Sequence, residues 1–301
     1  MKAIVFDRYG PPEVLRLADI EEPRPGSGQV RVRVRAVGIQ PFDTLVRQGR
    51  MDVPVRFPQR LGNEFSGVVD RVGDGVREWS AGEEVLGWAF MASLGEYAVA
   101  GADALVRKPA GMPWEVAGGL SSSGQTAYTA LRELGVGAGE TVLVHAAAGG
   151  AGTAAVQLAR AWGAEVIGTA SEANHAYLAS LGATPVTYGD GLVERVRAAA
   201  PGGVHAALDA IGGQALRDSL DLVRDRNRIA TLADHALAEE LGVRGVRARL
   251  SAEQLNELVG LYQKGTLRVP IRATFPLERT ADAHREVETG HGRGKVVVTL
   301  R

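Results

Sequence analysis

The residues best suited to chemistry in this chain form a run of small side chains, Thr141-Val-Leu-Val-His-Ala-Ala-Ala-Gly-Gly-Ala-Gly152. An apolar, β-branched stretch ends in alanine and glycine and passes directly into a helical pattern from Thr153 to Arg160. A strand, a small-residue turn and a helix N-terminus make an anion cradle. The backbone can approach a pyrophosphate closely, and the first-turn N–H groups and helix dipole favour negative charge. The glycine positions of a G-x-G-x-x-G fingerprint fall on Ala147, Gly149 and Gly152, so the first is replaced by alanine. A lone glycine-rich loop is weak evidence, and an ordinary βα turn packed with small residues is the alternative. Here a second strand-like segment, 164–169, completes a βαβ unit and favours a dinucleotide site.

The second strand bears on the choice of cofactor. An acidic residue about 20 positions beyond the fingerprint usually holds the ribose 2′-hydroxyl in NAD sites. This strand runs into Thr169-Ala-Ser171, with Glu172 one position late. Ser171, Asn174 and His175 suit a 2′-phosphate, so NADPH is favoured over NADH, with Glu172 as the contrary sign. Ser171 is alternatively the cap of the helix that follows.

Elsewhere the sequence offers no obvious proton donor. There is no Tyr-x-x-x-Lys pair, no His-x-x-His, no Glu-x-x-His and no G-x-S-x-G. The chain has no cysteine, which removes disulfides, thiolate nucleophiles and Cys-ligated zinc. Asn63 and Glu64 read as residues that satisfy turn backbone and nearby polar groups rather than as metal ligands. Without a metal or a positioned acid to polarise a plain ketone, a conjugated acceptor is the better fit. It delocalises the incoming charge itself.

The elements that must position these residues fall into two groups. Up to about residue 110, short strand-like segments are broken by glycine turns, which suggests a barrel or sandwich. A short helix is expected over 41–49. The alternation Val30-Arg31-Val32-Arg33-Val34-Arg35 reads as a half-buried strand with its arginines in water. From 141 to about 232 strands and helices alternate, which predicts a parallel doubly wound sheet. A helix is expected over 126–134, another over 153–162, and the tail after residue 265 returns to strand, helix, strand.

The chain has 301 residues, 45% hydrophobic and 23% charged, with a net charge of −1. That suits a folded protein of two domains and argues against a nucleic-acid partner. No apolar run reaches the length of a membrane span, and the N-terminus lacks the apolar core of a signal peptide. The expectation is a cytoplasmic protein with no membrane partner.

Taken in order, several segments make the chain resemble a known family. They are Val37-Gly-Ile-Gln-Pro-Phe-Asp43, Leu61-Gly-Asn-Glu-Phe-Ser-Gly-Val-Val69, Gly124-Gln-Thr-Ala-Tyr128, Ala146–Gly152, Leu181-Gly-Ala183, Leu208-Asp-Ala-Ile-Gly-Gly213 and Gly294-Lys-Val-Val-Val298. Over essentially its whole length the chain resembles the zinc-free medium-chain dehydrogenases/reductases, near the NADPH quinone oxidoreductases and alkenal reductases. The resemblance implies an α/β protein: a GroES-like β-barrel catalytic domain (1–112 and 265–301) and a Rossmann nucleotide-binding domain (113–264), with the active site in the cleft between them. It implies pyrophosphate contacts from Ala147, Ala148, Gly149, Gly150, Ala151 and Gly152. Thr126 and Ile211 would join the cofactor site, and Ser171, Asn174, His175 and Tyr188 would surround the adenosine phosphate. Gln40 stands at the hydride-transfer site. Gln40 and Gly62-Asn-Glu64 replace the Cys and Gly-His-Glu of zinc-dependent relatives, so no metal is expected. His175 replaces a frequent lysine, which weakens the phosphate site. A homodimer acting on a small-molecule quinone or enone is implied. Trp88 and Tyr97 are candidates for a pocket wall, though core is the plainer role for both. An NADPH-binding sensor with little catalysis is the competing function.

Overall fold

The computed structural model describes residues 1–290 and 292–301. In the first lobe the strands are β1 (Lys2–Phe6), β2 (Arg16–Asp19), β3 (Gln29–Ile39), β4 (Gln59–Arg60), β5 (Glu64–Val72), β6 (Glu84–Trp88), β7 (Tyr97–Gly101) and β8 (Leu105–Arg107). The second lobe carries β9 (Thr141–Val144), β10 (Glu165–Ala170), β11 (Thr184–Thr187), β12 (Ala206–Asp209), β13 (Ile229–Thr231) and β14 (Arg244–Gly245). The tail adds β15 (Ile271–Pro276) and β16 (Lys295–Thr299).

The barrel-like sheet runs β15-β16-β3-β5-β6-β8, with β7 on β3, and a small sheet β2-β1-β4 lies apart from it. The tail therefore returns to the first lobe: β16 pairs antiparallel with β3, Val298 opposite Val37. Val30, Val32 and Val34 of β3 are buried, as a strand with one face on the core requires. The arginines depart from the expected pattern. Arg33 is exposed, but Arg31 is only 3% exposed. Its guanidinium lies over the Tyr97 ring and is paired with Asp70 and Glu22. Two carboxylates and a ring face satisfy a buried cation where alternation alone predicts a wet one.

The second lobe has strand order β11-β10-β9-β12-β13-β14. The pairings are all parallel. This is the doubly wound arrangement, in which the order reverses beside β9 and ligands bind at the carboxyl ends of the strands. Val142, Leu143 and Val144 are fully buried, as a central parallel strand covered on both faces demands.

Helix boundaries differ from the sequence reading in two informative places. A helix spans Ser121–Glu133, so the Ser121-Ser-Ser-Gly124 run is helical rather than a lead-in to a helix at 126. Serine is a weak helix former in water, but Ser121 and Ser123 are buried here, and Ser121 Oγ accepts a bond from Gln125 Nε2. The glycine-rich helix begins at Gly150, three residues before the expected start, because Gly150-Ala-Gly152 forms its first turn.

Candidate active site

Gln40 sits at the end of β3, where the helix Pro41–Arg47 begins. Asp43, in the first turn of that helix, is fully buried. It accepts bonds from Gln40 N (2.8 Å), Gly62 N (3.0 Å) and Asn63 Nδ2 (2.9 Å). Burial, with the nearby Glu64 carboxylate adding to it, pushes its pKa up to about 6, against the pull of the Gln40 and Gly62 backbone N–H groups and of Lys295. Asn63 in turn accepts Met91 N through Oδ1 at 3.0 Å. Asn63 thus has the structural role expected of it, tying the Gln40–Asp43 corner to the loop after β6.

Glu64 is the centre of a buried polar cluster. It is fully buried, and Lys295 is 4% exposed. Lys295 Nζ lies 2.8 Å from Glu64 Oε1 and 3.1 Å from Ser123 Oγ. Gln40 Nε2 donates to the same Glu64 Oε1. Ser122 N donates to Glu64 Oε2 at 2.7 Å, so the N-terminus of the helix Ser121–Glu133 points at the carboxylate. Ser123 Oγ contacts Gln40 Oε1 at 3.4 Å. The carboxylate fixes which end of the Gln40 amide faces it, because only the NH2 end can donate. One amide hydrogen of Gln40 is thereby committed to Glu64. Sequence reasoning used Lys295 only as part of a motif and gave Ser123 no role. Lys295 and Glu64 are 231 positions apart, and no local spacing could have joined them.

The glycine-rich loop lies against this cluster. Gly294 N donates to Ala148 O at 2.9 Å, and Gly149 and Gly294 form a parallel bridge. A Cβ on Gly150 would stand 2.9 Å from Ser123 Oγ and 3.0 Å from Lys295 Cδ. The cradle and the Gln40–Glu64–Lys295 cluster are therefore one continuous site. Within the cradle the six residues divide their tasks. Ala147 is fully buried and packs inward against Gly168. Ala148 gives its carbonyl to the tail and to Thr153 Oγ1. A Cβ on Gly152 would lie 2.3 Å from Ala146 O, so this glycine lets the helix pack on the turn. A Cβ on Gly149 would meet only Ala146 O, at 3.4 Å, an ordinary van der Waals contact. The first-turn N–H groups of Gly150, Ala151 and Gly152 have no partner one turn back in the helix. An anion fits this cradle.

Apart from Thr126, the remaining expected cofactor residues lie just beyond strand ends. Ser171 follows β10 and Tyr188 follows β11, and the two strands are adjacent, Ala170 opposite Thr187. Ser171 Oγ makes no cap bond to backbone; it accepts Asn174 Nδ2 at 3.2 Å. His175 Nε2 lies 3.3 Å from Thr187 Oγ1. Tyr188 is 52% exposed and Ile211, beyond β12, 61%. Thr126 spends its hydroxyl on Ser122 O in its own helix. One cation near the cradle was missed in the sequence. Arg293 lies over the ring of Tyr177, whose hydroxyl meets Thr153 Oγ1 in the cradle helix. Of the two proposed wall residues, Trp88 is the cross-strand partner of Glu64 and packs on the cores of both lobes. Tyr97 instead pairs with Arg33 on β7, beneath Arg31.

A GroES-like barrel joined to a Rossmann sheet, with a polar cluster at their junction, defines a medium-chain dehydrogenase/reductase. Comparison with known proteins agrees. Residues 26–136 match the alcohol dehydrogenase GroES-like domain family, and residues 181–298 match the zinc-binding dehydrogenase family. The chain is 31% identical to a quinone oxidoreductase of Pseudomonas aeruginosa, covering 99% of both chains. The structure of the quinone oxidoreductase from Coxiella burnetii superposes with a TM-score of 0.91 at 33% identity, over 100% of this chain and 99% of that one. The Escherichia coli quinone oxidoreductase complexed with NADPH gives 0.89 at 28% identity, over 100% of both. The chain belongs to the medium-chain dehydrogenase/reductase superfamily, in its quinone oxidoreductase-like group, and is an NAD(P)H-dependent oxidoreductase. No helix among the described residues is long and apolar enough to cross a membrane.

Proposed function

We propose that this chain passes a hydride from NADPH to a quinone or an α,β-unsaturated carbonyl, without zinc. The observation that carries the reading is the Gln40–Glu64–Lys295 cluster pressed against the glycine-rich loop. Zinc does not suit this cluster. Glu64 Oε1 already takes Lys295 Nζ and Gln40 Nε2, so a divalent cation there would meet an ammonium at the same oxygen. Among the described residues, no three His, Cys, Asp or Glu side chains are grouped to hold a metal.

Bound NADPH supplies the hydride. The chain's own residues hold and orient. The N–H groups of Gly150 to Gly152 face the pyrophosphate, while Ser171, Asn174, His175 and Tyr188 surround the 2′-phosphate. Thr126 and Ile211 flank the nicotinamide half. The free amide hydrogen of Gln40 meets the acceptor oxygen as negative charge grows on it, and water returns the proton. Delocalisation within a conjugated acceptor makes this modest assistance sufficient, whereas an isolated ketone would need stronger polarisation. The enzymes among the relatives favour catalysis over a binding-only sensor. A cytoplasmic homodimer, meeting along the free edge of β14, completes the proposal.

The test is NADPH oxidation against a panel of quinones and enones, with NADH in parallel and the metal content of the pure protein measured. Turnover of conjugated acceptors, NADPH preferred, without stoichiometric zinc, is expected. Turnover restricted to simple alcohols or ketones, or lost on chelation, overturns the proposal. Gln40→Leu should lower kcat and leave the Kd for NADPH unchanged.

A further inference from the structure

Ser123 stands at the lobe junction, in the first turn of the helix Ser121–Glu133. Ser121, two residues earlier, is sealed, whereas Ser123 keeps 8% of its surface. It faces the cradle: a Cβ on Gly150 would stand 2.9 Å from its Oγ. Thr126, expected beside the nicotinamide half, lies three residues further on and so on the same face of the helix. Ser123 thus looks toward the place where the hydride is given up.

The direction of each hydrogen bond at Ser123 follows from its partners. Lysine has three N–H donors and no acceptor. The 3.1 Å contact between Lys295 Nζ and Ser123 Oγ therefore runs from lysine to serine, and the serine keeps its own hydrogen. Among the described residues, the one acceptor for that hydrogen is Gln40 Oε1, at 3.4 Å. An O–H···O bond is usually about 2.7–2.8 Å long, so this one is weak. An ammonium polarises the hydroxyl at its oxygen, and a poor acceptor holds its hydrogen. Such a hydroxyl turns to a stronger acceptor when one forms nearby, and an oxyanion beside Gln40 is stronger.

Lys295 is placed to replace the proton. Its Nζ is also 2.8 Å from Glu64 Oε1, which holds the nitrogen in place whether or not it carries its third hydrogen. A cavity of about 10 Å³, roughly the room of one water, touches Ser123 and Lys295 alike. Arg268, an exposed residue, also lines it, so the cavity leads from the pair toward the surface.

We propose that Ser123 passes a proton to the oxygen of the reduced acceptor and that Lys295 replaces it. This deepens the reductase reading and rests on it. As the hydride moves, the nicotinamide C–H bond breaks and a C–H bond forms on the acceptor. An electron pair of the conjugated system shifts onto the acceptor oxygen. That oxygen forms an O–H bond as the Ser123 O–H bond breaks. Ser123 Oγ takes a proton from Lys295 Nζ, and the neutral amine recovers one from solvent through the cavity. Water remains the final source of the proton, and the chain sets its route.

The test uses Ser123→Ala, Ser123→Thr, Lys295→Arg and the double variant Ser123→Ala/Lys295→Arg. Each is assayed with NADPH and whichever of menadione and 2-cyclohexenone the wild type turns over faster. Arginine keeps the charge opposite Glu64 and does not release a proton. Ser123→Ala and Lys295→Arg should each lower kcat by roughly a hundredfold, the scale of a positioned proton donor, and raise the solvent deuterium isotope effect on kcat. Ser123→Thr should restore both. The double variant should be no slower than the slower single one, because two links of one relay fail together. The KM of the acceptor and the Kd for NADPH should not move. Without cofactor, 4-nitrophenolate, followed by its absorbance, should bind about tenfold more weakly to Ser123→Ala than to the wild type or Ser123→Thr. A Ser123→Ala kcat within about threefold of the wild type, additive losses in the double variant, unchanged nitrophenolate binding, or an NADPH Kd that moves with kcat would each overturn the relay alone. A wild type that turns over neither acceptor overturns the reductase reading, and the relay with it.

Discussion

Gly149 and Gly152 offer a matched pair of substitutions that separates cofactor binding from packing. At Gly149 φ is −69° and ψ is 176°, a conformation any residue adopts. An added Cβ there has only Ala146 O within 4 Å, at 3.4 Å. Gly149→Val should therefore lower the melting temperature of the free protein less than Gly152→Ala does, while its branches occupy the space of the pyrophosphate. Losing two charge-assisted bonds between backbone N–H groups and phosphate costs about 1.5–3 kcal/mol each. The sum predicts a Kd for NADPH raised by roughly two to four powers of ten. Gly152→Ala should behave differently. Its Cβ would lie 2.3 Å from Ala146 O and 2.7 Å from Ala147 Cα, so the helix or the turn must move and the free protein should melt earlier. Calorimetric titration with NADPH, beside thermal unfolding without it, reads both effects. A Gly149→Val protein that binds NADPH within threefold of the wild type would mean that the pyrophosphate does not sit over this turn.

Three further outcomes follow from the same geometry. Lys295→Met leaves Glu64 buried without its cation and should cost about 3–5 kcal/mol in chemical unfolding, whereas the double variant Glu64→Gln/Lys295→Met should recover most of it; strictly additive losses would refute the pairing. Ser171→Asp places a carboxylate beside the expected 2′-phosphate and should reduce kcat/KM for NADPH by roughly a hundredfold, with NADH far less affected; equal effects on both would put Ser171 outside the phosphate site. His284 is fully buried, its ring nitrogens have no hydrogen-bond partner among the described residues, and burial, aided by Arg47, pushes its pKa down to about 3. Its contribution to stability is thus complete above its unfolded pKa of 6.5 and is lost as pH falls toward 3, at about 1.4 kcal/mol per pH unit. Asp43 works in the opposite sense: with its pKa raised from 3.8 to about 6, its contribution is complete at low pH and is lost as pH rises through 6. His284→Leu should remove the first slope and leave the second, so the stability difference from wild type between pH 7 and pH 5 should change by about 2 kcal/mol; a constant difference would show that His284 does not titrate in this way.

The sequence determined the architecture and the cradle because both are written in local periodicity. A small-residue turn between a β-branched strand and a helix can be read from twelve consecutive residues. So can the alternation that builds the parallel sheet. The sequence also indicated Asn63 as a structural residue, since a side-chain amide beside a turn has backbone to satisfy. Only the tertiary structure decided the polar cluster. Glu64 comes from β5, Lys295 from β16 and Ser122 from a helix whose serine-rich start has little helical tendency of its own. Burial drives each of them to find its partner, because an unpaired charge in the interior costs more than any local preference. The same holds for Arg31, which alternation places in water and which two acids and a tyrosine ring hold inside. Short-range pattern fixes which elements form; desolvation and pairing across the fold determine which side chains meet.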